Sequence, residues 1–284
     1  MNDRIILFEI LIVELLVLLS EQRSRIIITN MLDVAIDAAK KGGDLAYWYF
    51  KTHPKVTYKP DNSPVTKADI EVEKLIRKII TKNFPDHGII GEELPPVNPK
   101  AKYQWVIDPI DGTKRFSIGH PYWSILIAVL ENFKPVVGIS FFPATNELFQ
   151  ARKGKGSYLN GKNLQVSKTS KLERAFLITG ALSHFSKISK EKQLLKLIKS
   201  CRSNGGDGYS VGHNFLLKGK VDICMETGNL YDFVATAFIV KEAGGRYSDF
   251  SGNEDLNSGT CLLTNGLLHD QVLKILNAPS PTRL

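Results

Sequence analysis

The stretch that decides the fold is YQWVIDPIDGTKR, residues 103–115, where an apolar run stops at two aspartates that flank a proline. Residues 103–107 are rich in aromatic and β-branched side chains, which predicts a buried strand. Pro109 has no amide hydrogen, so the strand ladder is predicted to end there, with Asp108 and Asp111 projecting from the strand end. The stretch therefore predicts a strand that brings two carboxylates to one turn.

The residues after the second aspartate suit a phosphate. Gly112 lets the backbone approach a ligand closely, and Thr113 can orient a water or cap a helix that starts there. The free N–H groups of such a helix start form a natural seat for phosphate.

A second acidic turn lies upstream, in Ile89-Ile90-Gly91-Glu92-Glu93, where a short apolar run is followed by a glycine and two carboxylates. If the two turns converge, four carboxylates repel one another unless protons or cations compensate them. Ligands that offer oxygen alone favour Mg²⁺, Mn²⁺ or Ca²⁺ over zinc. The pattern thus indicates a hard-cation site.

Composition describes an ordinary globular chain of 284 residues, 43% hydrophobic and 23% charged. The formal net charge of +8 suits an anionic substrate, but the lysines are scattered, so nucleic-acid binding is not predicted. Three widely spaced cysteines argue against a disulfide framework and favour a reducing cytoplasm. The six histidines show no zinc-binding spacing.

Residues 1–30 are unusual because 5–19 read IILFEILIVELLVLL, which is apolar but shorter than a membrane span and interrupted by two glutamates. An interfacial or partner-binding helix is one interpretation, and an appendage outside the core is the favoured one. No membrane association is expected unless this segment anchors the chain.

The rest of the chain alternates helical and strand patterns, which predicts a mixed α/β fold. One helix is expected from Met31 towards Phe50, followed by a polar loop over 53–64. A second helix is expected after this loop, where Thr66 and Asp69 have capping-box spacing. Further strands are expected at 123–130, 135–142, 147–151, 175–179, 221–225, 246–250 and 261–264, and helices at 188–200, after 205–209, from 231 to 244 and at 268–276. Residues 31–170 would form one half and 171–284 the other.

Three motifs in this order resemble the signature of the inositol monophosphatase family. They are Gly91-Glu92-Glu93, the run Asp108-Pro-Ile-Asp-Gly-Thr113, and Tyr231-Asp232 before a helix that ends in Gly244-Gly245. The resemblance extends from about Met31 to about Leu276. It implies an α/β (α+β) fold, the layered αβαβα sandwich shared with fructose bisphosphatases, and hydrolysis of phosphomonoesters by a metal-activated water.

The resemblance also implies metal ligands. Two or three Mg²⁺ ions are expected, with Mn²⁺ as an alternative. Glu92, Asp108 and the main-chain carbonyl of Ile110 would hold one ion. Asp108, Asp111 and Asp232 would hold another, and Glu92 would serve a third, weaker site.

Catalytic and phosphate-binding residues follow from the same resemblance. Gly112 and Thr113 would bind the phosphate through backbone N–H groups. Thr113 and Asp69 would orient the attacking water, with Glu93 as a further catalytic residue. The absence of Cys/His or Ser/His/Asp arrangements agrees with a mechanism that has no covalent intermediate.

The substrate is less closely defined. Lys114 and residues 204–209 resemble the histidinol-phosphatase branch, where Asp207 could neutralise the ammonium group of an amino-alcohol phosphate. Glu226 resembles a glutamate that contacts substrate hydroxyls in inositol phosphatases, but it lies one residue closer to Asp232 than usual. Hydrolysis of L-histidinol phosphate, a step of histidine biosynthesis, is therefore the first expectation.

Other readings stay open. They are an inositol-1-phosphate phosphatase, a 3′-phosphoadenosine 5′-phosphate nucleotidase, and a non-catalytic binding protein on the same scaffold anchored through residues 1–30. The resemblance also suggests a homodimer, although the sequence shows no interface.

Overall fold

The computed structural model describes the backbone of residues 2–52, 56–58 and 64–279, and the side chains of residue 22 and of residues 26–52, 57 and 65–279. Within that part the chain forms eight α-helices and fourteen strands. The helices are α1 (Asn2–Thr52), α2 (Lys67–Asn83), α3 (Thr113–Ser117), α4 (Leu182–Lys187), α5 (Glu191–Ser200), α6 (Ser210–Leu217), α7 (Leu230–Glu242) and α8 (His269–Leu276). The strands are β1 (Val56–Tyr58), β2 (Pro64–Thr66), β3 (Gly88–Gly91), β4 (Tyr103–Asp111), β5 (Ser124–Glu131), β6 (Lys134–Phe142), β7 (Glu147–Arg152), β8 (Ser157–Leu159), β9 (Lys162–Leu164), β10 (Phe176–Thr179), β11 (Ser203–Gly205), β12 (Ile223–Thr227), β13 (Arg246–Ser248) and β14 (Thr260–Thr264).

Two mixed β-sheets form the framework of the fold. The larger has seven strands in the order β3-β4-β5-β6-β7-β8-β9, and the smaller has five in the order β11-β10-β12-β14-β13. In the larger sheet β3 runs parallel to β4, and the following neighbours are antiparallel. Short hairpins suffice for the antiparallel neighbours, as at Asn160-Gly161, where both residues have positive φ.

Alternate residues along the strands face different cores. On β5, Ile127 points into the core beneath α1 and α2, whereas Leu126 points into the core around α7. On β12, Cys224 joins the α7 core and Ile223 joins a third core with α5 and α8. Because strand side chains alternate with period two, both faces of each sheet are covered. The layer order α1/α2, large sheet, α6/α7, small sheet, α4/α5/α8 confirms the predicted αβαβα sandwich.

Pro109 does not end its strand, contrary to the sequence prediction. Asp108 pairs with Leu126 and Asp111 pairs with Ser124, so three steps along β4 face two steps along β5. This extra residue is a β-bulge, which accommodates the missing amide hydrogen of a proline and lets pairing resume beyond it.

The N-terminal helix differs from the sequence prediction at its start. It is continuous from Asn2 to Thr52 rather than beginning near Met31. Ile28, within the predicted 1–30 extension, is 8% exposed and belongs to the first core, while Ile26 is 57% exposed. In the part of the chain whose side chains are described, we find no helix with the length and apolar character needed to cross a membrane.

Other departures concern short elements. Within the predicted loop at 53–64, β1 pairs with β2, while residues 53–55 and 59–63 lie outside the described part. The helix predicted at 188–200 begins at Glu191 and is preceded by the separate helix α4. Such three- to six-residue elements depend on tertiary contacts, because they are too short to show a periodic pattern.

Candidate active site

The two acidic turns predicted from the sequence meet at one edge of the large sheet. Gly91 on β3 lies beside Ile107 on β4, and the N–H of Glu92 donates to the Ile107 carbonyl at 3.2 Å. Because β3 and β4 are parallel, Glu92, which follows β3, lies at the same edge of the sheet as Asp108 in the last part of β4.

The bulge on β4 fixes the two aspartates that it separates. The Ile110 N–H donates to Asp108 Oδ1 at 3.0 Å, and the Ser124 hydroxyl donates to Asp111 Oδ2 at 3.2 Å. Asp108 is 1% exposed and Asp111 is 3% exposed. These hydrogen bonds orient both carboxylates, and Ser124 is a contributor that the sequence prediction missed.

Asp69 forms the capping box that its sequence spacing indicates, and its second carboxylate oxygen faces Thr113. Its Oδ2 accepts the Thr66 N–H at 2.7 Å and the Thr66 hydroxyl at 2.6 Å, which completes a capping box at the start of α2. The Thr113 hydroxyl lies 3.2 Å from the other oxygen, Oδ1, and 3.1 Å from the Ile110 carbonyl oxygen. The cap of α2 therefore directs one carboxylate oxygen to the start of α3.

Asp232 comes from the second half of the chain. It occupies the first turn of α7, where its Oδ2 accepts the Asn229 N–H at 2.5 Å. Helix α7 packs against both sheets, so its N-terminal turn brings this carboxylate to the carboxylates of the first half.

Electrostatics shows that these carboxylates influence one another. Burial raises the pKa of Asp108 well above its usual range, and the charges of Glu92, Asp111, Asp232 and Asp69 raise it further. Burial and Asp232 raise the pKa of Asp111 to about 8, against the opposing effect of Arg115.

These carboxylates are not yet close enough together to form a complete set of metal ligands. Among the described residues, no three acidic, histidine or cysteine side chains already stand in a geometry that would hold a metal ion. The mutual effects on pKa require nearby charges, whereas coordination requires oxygens within about 2.1 Å of one point, as for Mg²⁺. Small side-chain adjustments would have to accompany metal binding.

A brace on α2 supports the turn that carries Glu92 and Glu93, and the sequence analysis missed it. The fully buried Glu73 accepts the N–H groups of Glu93 at 2.8 Å and Leu94 at 3.2 Å. It also pairs with Arg77 Nε at 2.7 Å, and the Arg77 guanidinium donates to the Leu94 carbonyl at 2.7 Å. The only available signal was a glutamate with an arginine four residues later on one helix face.

The turn at 205–209 closes the other side of the site. Gly112 has φ 90, and a Cβ there would lie 2.7 Å from Ser210 Oγ, so this close approach requires glycine. Asp207 is 63% exposed and lies 2.5 Å from Arg115 Nη2. Glu226, in contrast, is buried, and its Oε1 accepts the Tyr209 N–H.

The αβαβα sandwich with carboxylates gathered at one edge of its large sheet is the architecture expected for the inositol monophosphatase and fructose bisphosphatase class. Sequence comparison identifies the family within that class. A model of the inositol monophosphatase family matches residues 28–279. This chain therefore belongs to the inositol monophosphatase family.

Individual relatives agree with this assignment. A histidinol-phosphatase of Mycobacterium tuberculosis is 34% identical over 230 residues, which cover 79% of this chain and 88% of the relative. Inositol monophosphatase 3 of Solanum lycopersicum is 34% identical over 263 residues, covering 88% of this chain and 97% of the relative. The solved structure of a Thermotoga maritima IMPase, 35% identical, superimposes with a TM-score of 0.78 over 87% of this chain and 97% of that chain.

Proposed function

We propose that this protein hydrolyses a small phosphomonoester with Mg²⁺ and water, with L-histidinol phosphate as the first candidate, giving L-histidinol and phosphate. Family membership supports metal-dependent phosphomonoester hydrolysis. The observation that carries the proposal is the convergence of Glu92, Asp111 and Asp232 on the buried Asp108, whose pKa their charges raise. A buried site with this excess of negative charge favours cations.

The donor set fits Mg²⁺ because all of its candidate atoms are oxygens. Glu92, Asp108 and the Ile110 carbonyl would hold one ion, and Asp108, Asp111 and Asp232 a second, with Glu92 available to a third; Mn²⁺ has the same ligand preference. When bound, such ions supply positive charge at the phosphate and lower the pKa of a water.

Thr113 and Asp69 are suited to orient the attacking water. The Thr113 hydroxyl has one hydrogen, which it can donate to Asp69 Oδ1 or to the Ile110 carbonyl, so its oxygen is left to accept a hydrogen bond from water. Burial raises the pKa of Asp69, which makes this carboxylate a better proton acceptor than an exposed aspartate. Glu93, held through its backbone by Glu73, is proposed as an additional catalytic group.

The phosphate would be bound by the backbone N–H groups of Gly112 and Thr113, because the first amides of a helix have no acceptor inside it. For the alcohol, the exposed Asp207 is the group best placed to meet a cation. Its present partner is Arg115, whose side chain is 18% exposed, and the exposed Asp207 carboxylate has room to pair with a substrate ammonium as well.

Two other substrates remain candidates within the same chemistry. Inositol 1-phosphate is supported by the similarity to a plant inositol monophosphatase. A 3′-phosphoadenosine 5′-phosphate nucleotidase comes third, since no feature of the described residues indicates an adenine site.

A substrate panel tests the proposal. We expect kcat/KM with Mg²⁺ to be highest for L-histidinol phosphate among that compound, inositol 1-phosphate, fructose 1,6-bisphosphate and 3′-phosphoadenosine 5′-phosphate. Metal binding without hydrolysis of any of them would instead support a non-catalytic binding protein.

The variant Asp108→Asn tests the site. It should reduce kcat at least about 10³-fold, because one change removes a charge from both proposed ion positions. Asp270→Asn is the matched control, since Asp270 is 81% exposed and pairs with Arg246 on the surface. Near-normal turnover in the Asp108 variant would refute the proposed role of this carboxylate.

A further inference from the structure

Glu226 on β12 and His213 on α6 form an interior pair that the proposed reaction does not use. Their side chains are 2% and 1% exposed, and His213 Nε2 lies 3.5 Å from Glu226 Oε2. In the part of the chain that the structure describes, neither of these two atoms has a hydrogen-bond partner. Buried polar atoms are rarely left unpaired, so a shared proton between them is the expected arrangement.

The other oxygen of Glu226 holds the turn at residues 205–209. Glu226 Oε1 accepts the Tyr209 N–H, and a Cβ on Gly208 would lie 2.9 Å from the same oxygen. Tyr209 has φ 55 and ψ −136, a backbone conformation that an L-residue keeps only when its surroundings enforce it. The Tyr209 hydroxyl also donates to the Thr227 carbonyl at 2.6 Å. The turn is therefore fastened to β12.

His213 connects the pair to α7. Its Nδ1 lies 3.2 Å from Thr236 Oγ1, one helical turn after Asp232. The tautomer in which Nδ1–H donates to Thr236 leaves Nε2 as an acceptor for a carboxyl proton on Glu226. Burial lowers the pKa of His213 to about 3 and raises that of Glu226, which fits an uncharged pair.

The turn matters because it carries Asp207. That side chain is 63% exposed, whereas Glu226 lies beneath the turn and is 2% exposed. Asp207 can contact a substrate directly. Glu226 can influence substrate binding through the turn that it supports.

We propose that His213 and Glu226 are positioning residues: they hold the 205–209 turn, and with it Asp207, and so set the preference for a cationic alcohol without touching the substrate. This inference rests on the proposed function for its consequence. Its structural part, the fastening of the turn, does not depend on turnover.

The experiment compares His213→Leu with Glu226→Gln, the conservative variant. Glutamine keeps an oxygen for the Tyr209 N–H and gains an N–H that can donate to His213 Nε2. In His213→Leu we expect the amides of Gly208 and Tyr209 to exchange hydrogen about tenfold faster, as for the loss of one net hydrogen bond. The kcat/KM ratio of L-histidinol phosphate to inositol 1-phosphate should fall by about tenfold as well. Glu226→Gln should retain both properties.

A matched control separates positioning from general loss of stability. His269 is also buried, with ring nitrogens 3.0 Å from the Thr264 and Ser248 hydroxyls, on the far face of the small sheet. His269→Leu should lower the melting temperature without changing the substrate ratio. The Mg²⁺ concentration that gives half-maximal rate should stay within about twofold in His213→Leu, because the pair supports the turn and not the carboxylates at the strand ends.

Three outcomes would overturn the inference: unchanged exchange and ratio in His213→Leu, an equal fall for both substrates as in His269→Leu, or a loss of the ratio in Glu226→Gln as large as in His213→Leu. The last would make Glu226 a direct substrate contact. If the wild-type protein hydrolyses neither compound, the proposed function fails, and the exchange rates of the turn still decide whether the pair fastens it.

Discussion

At the scale of single residues, the site is defined by buried carboxylates that hydrogen bonds orient. Asp111 is the clearest case, because Ser124 orients it while burial and Asp232 raise its pKa to about 8. The fold keeps this carboxyl where its charge is disfavoured. The free-energy cost of keeping a charged Asp111 in the folded state should therefore be measurable in the metal-free protein.

The pH dependence of stability follows from this pKa. The unfolded chain releases the Asp111 proton near pH 4, whereas the folded protein keeps it until about pH 8. Between these values the folded state binds more protons, so stability falls as pH rises, by at most about 1.4 kcal/mol per pH unit for one proton. We expect the melting temperature of metal-free wild type to fall from pH 5 to 8. The fall should be shallower in Asp111→Asn, and equal slopes in the two proteins would contradict the assignment.

At the scale of elements, α2 sets the spacing between the two halves of the acidic site. Asp69 in its first turn contacts Thr113, and Glu73, four residues later on the same face, binds the turn after β3. A helix repeats every 3.6 residues, so the two acids point the same way. One rigid element thus positions two separate turns.

Loss of the brace should weaken both stability and metal binding. Glu73→Ala leaves the Arg77 guanidinium, 12% exposed, without its buried partner, which costs about 3–5 kcal/mol. The half-saturating Mg²⁺ concentration should rise about tenfold, as for other residues that orient metal ligands. The control Glu71→Gln breaks the exposed pair with Lys74 and should cost less than about 1 kcal/mol. Titration calorimetry with Mg²⁺ and chemical unfolding measure the two effects.

Two substitutions within one turn of α1 test which of its side chains pack into the core. Ile28→Ala removes a buried side chain and should destabilise by about 2–4 kcal/mol, whereas Ile26→Ala, at a 57% exposed position, should change stability by less than about 0.5 kcal/mol. Urea unfolding distinguishes them. Similar effects for both would contradict the burial of Ile28 and the exposure of Ile26.

At the scale of the whole molecule, the proposed cation site joins the two halves of the chain. Asp108 and Asp111 end a strand of the large sheet, and Asp232 begins the helix packed between the sheets. A ligand shared by both halves binds the folded state and not the unfolded chain. Its binding energy therefore adds to stability.

Mg²⁺ should accordingly raise the melting temperature. At a concentration one hundred times the Kd, linkage predicts about 2.7 kcal/mol of added stability, a shift of several degrees for a protein of this size. Asp108→Asn should remove this increment, and Asp270→Asn should keep it. Calorimetry with and without EDTA makes the comparison, and a full shift in the Asp108 variant would place the cation elsewhere.

Much of the fold could be predicted because its signals are local. The apolar runs of β5 and β12 and the capping box at Thr66 arise from residues a few positions apart. One prediction failed because strand pairing overrode a local rule: Pro109 was expected to end β4, but β4 forms a bulge there and resumes its pairing with β5 beyond it. The early start of α1 and the short strand β11 had no clear periodic signal.

The sequence by itself determined the strand–turn units that carry the acidic residues and the family to which the chain belongs, since turn chemistry and spacing lie within short segments. Only the tertiary structure decided which of these units meet and what supports them. Asp207 is paired with Arg115, 92 positions away in the chain, and Glu226 is buried beneath the 205–209 turn beside His213. Burial, pKa and the partner of a charged group depend on what the rest of the chain packs around it, so no short pattern encodes them.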